Sequence, residues 1–267
     1  MWLSSAFSSI ATALPENNRL ERIWLLAKTD FRKRYNDSFL GLLWALINPL
    51  AQLAIYFYIF TVVFHSRTEN FILFLFVGIV FWQWFVETTK RGITLIPQKR
   101  YLLENVQINR LDIYYAGLLS TFMGFLFNFC VYFLCSLFFD VHISGYIVFL
   151  PILILNMAVL ILAVQIILSI IHVFIRDIEH VWALATLVLF WLSGILFEVK
   201  PDSTWKTALL AYLTPILGIL NNVRAVLIFG EDFNWRLFIY DWGYSMVLLL
   251  IAWRLISRYF SRAMEIL

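Results

Sequence analysis

The chain has 267 residues, 62% hydrophobic and only 14% charged, whereas a soluble domain carries about 25% charged residues, so a water-soluble core is excluded as its organising unit. The formal net charge is +3, and the basic side chains are dispersed between apolar runs, which excludes a nucleic-acid-binding surface. One membrane domain is expected, with the spans as its structural units.

In chain order, Ala11-Thr12-Ala13 resembles a signal-cleavage site, but it lacks a basic n-region and a solid apolar core, so no cleaved signal is expected. Residues 1–42 read as a cytoplasmic N-terminal region. Within it Leu20, Ile23, Trp24, Ala27, Phe31 and Tyr35 recur at helical spacing, while Arg22, Lys28, Arg32 and Lys33 lie largely off that stripe. This pattern predicts an amphipathic helix in the membrane interface.

The remainder, residues 43–267, reads as an all-α integral membrane domain of six transmembrane helices, at about 43–64, 71–89, 113–139, 146–175, 181–197 and 237–256. Leu43 to Phe64, Ile113 to Phe139 and Tyr146 to Ile175 contain no Asp, Glu, Lys or Arg. One such residue at a helix centre costs about 3 kcal/mol of insertion free energy. The second and fifth runs are shorter, and Asp241 interrupts the start of the last. Residues 204–230 are apolar enough to suggest a seventh crossing, but contain Pro215, Gly218, Asn221-Asn222 and Arg224.

Parity decides between six and seven. With six spans, 15 of the 20 Lys and Arg residues fall on the side that holds both termini, and only Arg67, Lys200, Lys206, Arg224 and Arg236 on the other. A seventh span would carry Arg254, Arg258 and Arg262 outside, against the positive-inside rule. Residues 204–230 are therefore expected to be a broken, re-entrant or interfacial element on the external face, with both termini cytoplasmic. Cys130 and Cys135 fall in one span, about 140° apart on a helix, and are expected to be packing residues.

Chemistry is sparse. No GxxxxGK[ST] run occurs, so the chain has no phosphate loop for ATP. Glu87 and Asp241 lie at span ends, His172 near the end of the fourth span, and His65, His142 and His180 are scattered without metal-ligand spacing. Glu231-Asp232 is the only adjacent acidic pair and reads as a solvated loop. No catalytic residue, metal or cofactor is expected in this chain.

The positive signal is the lead-in to the first span, which runs from Phe31-Arg32-Lys33-Arg34-Tyr35-Asn36-Asp37-Ser38-Phe39-Leu40-Gly41 through Trp44 to Pro49. It resembles the motif of ABC type-2 permeases that export O-antigen, capsule and teichoic-acid chains. Those have an arginine and tyrosine, a serine, Leu-Gly, a tryptophan and a proline at this spacing. The resemblance continues through Gly78 and Trp82-Gln83-Trp84-Phe85, the basic loop to Arg110, Arg176-Asp177-Ile178, and the segment around Pro215.

The resemblance implies a multi-pass permease of the bacterial inner membrane that transports a lipid-linked polysaccharide, most simply O-antigen. It further implies a homodimer completed by two ATP-binding cassette subunits that bind ATP and magnesium, with membrane lipid as a further partner and no nucleic acid. A channel without an ATPase and a membrane-bound glycan-modifying enzyme are the alternative readings.

Candidate residues form three groups. Asn48, Gln52, Tyr56 and Phe60 recur every four residues in the first span, and Trp182, Thr186, Phe190, Ser193 and Phe197 share one face of the fifth. Aromatic faces suit sugar rings and amides or hydroxyls their polar edges, so these stripes are expected to line the substrate path. The segment from Lys90 to Asp112, with Lys99, Arg100, Leu103, Glu104 and Arg110, is the longest basic internal loop, and it is expected to dock the ATPase helix-in-groove through Tyr101, Leu102, Leu103 and Val106. The resemblance adds Arg176 and Asp177 to it. Arg32, Arg34, Tyr35 and Trp44 are expected to anchor the chain at the interface.

Overall fold

The computed structural model describes residues 19–35, 41, 43–63, 70–105, 108–141, 143–199 and 205–267. Ala11 to Ala13, Asn36 to Leu40 of the lead-in motif, His65, Arg67, Val106, His142 and Lys200 lie outside the described residues, as do the side chains of Tyr35 and Lys206. The described residues form ten α-helices: α1 (Arg19–Tyr35), α2 (Leu43–Tyr58), α3 (Phe71–Ile93), α4 (Leu95–Asn105), α5 (Asp112–Ser136), α6 (Leu150–Phe174), α7 (Ile178–Leu192), α8 (Trp205–Leu213), α9 (Pro215–Leu227) and α10 (Trp235–Ile266). A π-helical turn, Ile59–Val63, extends α2, and a 3-10 turn, Gly145–Phe149, leads into α6. The chain is an all-α integral membrane protein.

α3 is the hub. Leu73, Phe74, Leu75, Phe76, Val77 and Ile79 are all buried, and a helix apolar all round its circumference must be enclosed by others. It packs against α2, α5, α6, α7 and α9. Lipid tails are as apolar as leucine, so polar pairs and close packing hold the bundle. Thr88 shares a 2.7 Å hydrogen bond with Thr121 of α5. Gln165 Nε2 of α6 donates to the Tyr114 carbonyl (3.2 Å), and Ser245 Oγ of α10 to Asn156 Oδ1 (2.8 Å).

α1, α4, the α6–α7 turn and the end of α10 gather on one face, here the basic face. Asp30 of α1 receives Lys99 Nζ of α4 (2.6 Å), and Arg110 Nη1 donates to the Ile256 carbonyl of α10 (3.4 Å). α1 rests on α5 through the fully buried Ala27, while Leu20 and Trp24 of its apolar stripe remain exposed. Its first arginine, Arg19, pairs with the buried Asp112 at the start of α5 (2.8 Å).

Among the described residues, five segments are long and apolar enough to cross a membrane: Leu43–Val63, Phe71–Ile93, Asp112–Ser136, Gly145–Phe174 and Trp235–Ile266. α10 runs unbroken well beyond residue 256. The fifth expected span, 181–197, differs in form. α7 has 15 residues, about 22 Å of helix against a hydrocarbon core of about 30 Å. It stops because Gly194 takes a positive φ of 62°, the left-handed conformation that ends helices. The chain then continues as a turn, with Ile195, Leu196 and Val199 buried.

α8 and α9 form a hairpin that enters and leaves on the face opposite the basic one. At its upper end the Ser144 amide donates to the Val226 carbonyl (3.0 Å), and Asn221 Nδ2 to Val199 (3.0 Å). At its tip Tyr240 Oη, inside α10, donates to the Tyr212 carbonyl (2.7 Å). Pro215 opens α9 at a first-turn position, where its missing N–H costs nothing. Nearly every residue of α9 is buried.

Candidate functional site

Pro49 is the one buried residue of α2. A proline inside a helix withholds its own N–H from the carbonyl four residues earlier, here that of Ala45. Asn128 of α5 supplies the missing donor, its Nδ2 lying 3.0 Å from the Ala45 oxygen and 3.0 Å from that of Gly124. The two helices are thereby joined at one end of a chamber of about 480 Å³ between α2, α3 and α5.

The chamber is polar at membrane depth. Asn48 and Gln52 of α2, Gln83 and Glu87 of α3, and Asn128 line it beside the indoles of Trp44 and Trp82. Gln83 Nε2 donates to Gln52 Oε1 (3.2 Å), and Asn128 Oδ1 is buried with no partner among the described residues. Lipid cannot satisfy amides, so such groups face protein or water.

Farther along the same stripe, Tyr56 leaves the chamber and meets α7, its ring centroid 5.5 Å from that of Phe190. Trp82 packs on Phe190 (5.7 Å) and on Phe85 (5.7 Å), and Phe85 on Trp182 (6.0 Å). The two expected stripes thus meet across α3. Phe60 turns instead to Phe71 (6.0 Å). Thr186 and Ser193 are buried and donate to carbonyls of their own helix, Ala183 (2.9 Å) and Leu189 (2.6 Å). Trp182 Nε1 donates to Thr89 Oγ1 (3.1 Å), and Phe197 is exposed.

Toward the basic face the chamber adjoins a vestibule of about 1020 Å³, and Arg34, Glu87, Arg91 and Thr121 line both. Lys33, Lys90 and Lys99 add positive charge, against Asp30 and Glu87. Arg34 and Arg91 both pair with Glu87, the latter at 3.2 Å. Of the expected anchors, Arg34 therefore belongs to the vestibule and Trp44 to the chamber wall, while Arg32 is exposed.

The expected docking residues separate. Arg100 and Glu104 form an i,i+4 pair on α4 (2.6 Å), and Tyr101 beside them is 73% exposed. Leu103 faces inward onto the core formed with α5, α6 and α10. Arg110 lies against α10, its guanidinium 5.8 Å from the Phe260 ring. Arg176 and Asp177 form an exposed turn.

Arg224, which the sequence places in an external segment, is 2% exposed. Its guanidinium donates to the carbonyls of Gly194 (2.7 Å), Ile195 (3.0 Å) and Phe74 (3.1 Å), and stacks 3.5 Å from the centroid of the Phe74 ring. It binds the hairpin to the end of α7 and the start of α3. Gly78 makes room for it, because a Cβ there would stand 2.6 Å from Arg224 Nη2. Sequence reasoning missed Arg224, Gln83 and Asn128 as site residues; for the last two the signal was an isolated amide in an uncharged run.

The chain is 28% identical over 208 residues to the O-antigen export system permease protein RfbA of Myxococcus xanthus, which covers 75% of this chain and 78% of that one. It is 23% identical over 243 residues to an O-antigen export system permease protein RfbA of Klebsiella pneumoniae, covering 85% and 88%. The sequence profile described as ABC-2 type transporter matches residues 21–228, and the chain belongs to that family.

Proposed function

We propose that this chain is the membrane permease of an ATP-driven exporter that moves a lipid-linked polysaccharide, O-antigen, across the bacterial inner membrane. The carrying observation is the polar, tryptophan-lined chamber continuous with a cationic vestibule on the basic face. Amides and indoles offer a sugar both polar edges and flat faces, and the vestibule's arginines and lysines suit a phosphate-bearing lipid end. Similarity to the O-antigen permeases supports the choice of substrate.

In this reading the basic face is cytoplasmic, both chain ends lie there, and two copies associate. The apolar outer faces of α2 and α7, including Ile47, Ile55, Leu184 and Leu187, supply surface for the second copy. Two separate ATP-binding subunits dock on α4 and the Arg176-Asp177 turn, and their closure moves the helices around the vestibule. The test is deletion of the gene with complementation by a tagged copy. Loss of surface polysaccharide, its restoration by the tagged chain, and co-purification of an ATP-binding subunit are expected; normal polysaccharide in the deletion strain overturns the reading.

A further inference from the structure

The side of α5 turned away from the chamber carries a second hollow of different chemistry. It is a groove of about 750 Å³, with Leu118, Leu119 and Phe122 of α5 along one wall and Ile154, Leu155 and Ala158 of α6 along the other. It extends from Tyr115, one turn into α5, to Leu150 at the far end of α6. Leu20 and Ile23 of α1 cover its basic-face end, and Arg19 stands at its lip. Arg19 uses its Nε on Asp112 (2.8 Å). One turn further, Arg22 has a buried Nε with no partner among the described residues. α1 as a whole carries Arg19, Arg22, Lys28, Arg32, Lys33 and Arg34 against Glu21 and Asp30.

We propose that this groove binds an anionic phospholipid of the leaflet on the basic face, with one acyl chain between α5 and α6 beneath Leu20 and Ile23 and the phosphate at Arg19 and Arg22. A groove walled by leucine, isoleucine and phenylalanine gives water no partners, so hydrocarbon fills it. The Arg19 guanidinium at its mouth, with Arg22 one turn along α1, selects a negative headgroup. The tail of a transported lipid is the competing occupant. α5 and the indole of Trp84, which lines both hollows, stand between groove and chamber, so a tail lodged here is not continuous with a head group there. The lipid's role is to brace α1, which is ion-paired to α3 through Arg34 and Glu87 and to α4 through Lys99 and Asp30.

The test uses the full chain in nanodiscs of phosphatidylcholine containing traces of phosphatidylglycerol with a photoreactive acyl chain, the cross-links being mapped by mass spectrometry. Cross-links are expected to concentrate between Tyr115 and Phe122 of α5 and at Ala158 of α6, the groove residues nearest the basic face, and to thin out toward Leu150 in the opposite leaflet. They should exceed those from photoreactive phosphatidylcholine by about fivefold, the factor one arginine supplies near an anionic surface. Arg22→Gln should remove most of that preference, and Ala158→Phe should abolish groove labelling by either lipid. Should Ala158→Phe fail to yield monodisperse protein, Ile154→Phe makes the same test. Equal labelling by the two lipids, cross-links spread evenly over the outer faces of α5, α6 and α10, or displacement by a polyprenyl phosphate but not by phosphatidylglycerol overturns the proposal.

Discussion

The amide of Asn128 and the carbonyl of Ala45, 3.0 Å apart, form a hydrogen bond that exists because of a third residue. Pro49 cannot donate to Ala45, and lipid cannot replace it. A helix break that would be costly alone thus becomes a joint between α2 and α5, at the end of the chamber where Asn48 and Gln52 face inward.

Asn128→Ala is therefore expected to destabilise the protein by about 1–2 kcal/mol, the loss of a part-buried hydrogen bond to Ala45 together with the one to Gly124. In a Pro49→Ala background the helix regains its own donor, and the same substitution should cost about 1 kcal/mol less. Thermal unfolding of the four proteins in one detergent measures the coupling. Strict additivity would show that Asn128 does not serve the proline break.

Arg224 holds three carbonyls, so Arg224→Leu should cost at least about 3 kcal/mol, on the order of 1 kcal/mol for each acceptor left unpaired. Arg224→Lys should recover little, because one ammonium cannot reproduce the planar fork. Gly78→Ala intrudes on the same guanidinium and should cost much less in the Arg224→Leu background than in the native one. Full rescue by lysine would sink the account.

These cases show where sequence reasoning ends. Uncharged runs reveal spans because insertion energy is local to each run. Pro215 likewise exposed the hairpin, since it opens α9 directly after the Thr214 turn, whereas Gly218 and Asn221-Asn222 lie inside that unbroken helix. The partner of Asn128 depends on a carbonyl 83 positions away. The burial of Arg224 depends on a cage drawn from α3 and the turn after α7, and no pattern within residues 204–230 encodes that cage. The α7 stripe was legible as a face, yet whether Thr186 and Ser193 offer their hydroxyls to a path or to their own backbone is settled only by rotamer and packing.

On α4 the two sides of one helix should respond differently. Leu103 packs inward, so Leu103→Ala should lower stability by about 1–2 kcal/mol, less than a fully buried leucine. Tyr101 is 73% exposed, so Tyr101→Ala should lower the thermal midpoint less than Leu103→Ala while reducing co-purification of the ATP-binding subunit. The reverse pattern, a stable Leu103→Ala chain that loses its partner and a Tyr101→Ala chain that keeps it, would contradict the placement.

The hairpin makes a topology prediction. After replacement of Cys130 and Cys135, single cysteines at Asp232, Thr214 and Ser261 are treated with a membrane-impermeant maleimide in intact cells, with the outer membrane permeabilised where present. Labelling is expected at Asp232 only, because Thr214 lies at the buried tip and Ser261 on the basic face. Labelling at Ser261 would reverse the orientation.

The final prediction concerns the path itself. Gln52 meets Gln83 inside the chamber, and Tyr56 meets Phe190 where α2 approaches α7. If the chamber wall contacts passing sugars, Gln52→Ala removes a polar contact at little cost in packing, because Gln52 is exposed in the chamber. Tyr56→Ala and Phe190→Ala remove an aromatic pair worth about 0.5–1.5 kcal/mol beyond burial, so they combine a path effect with a packing effect. Abundance in the membrane separates the two, and Tyr56→Phe, which keeps the ring and loses the hydroxyl, sharpens the separation. Surface polysaccharide per unit of inserted permease should fall several-fold in Gln52→Ala with abundance unchanged. In the aromatic variants both quantities should fall, with Tyr56→Phe restoring abundance. Normal export per inserted copy in Gln52→Ala, Tyr56→Ala and Phe190→Ala alike would assign these residues to packing and place the path elsewhere.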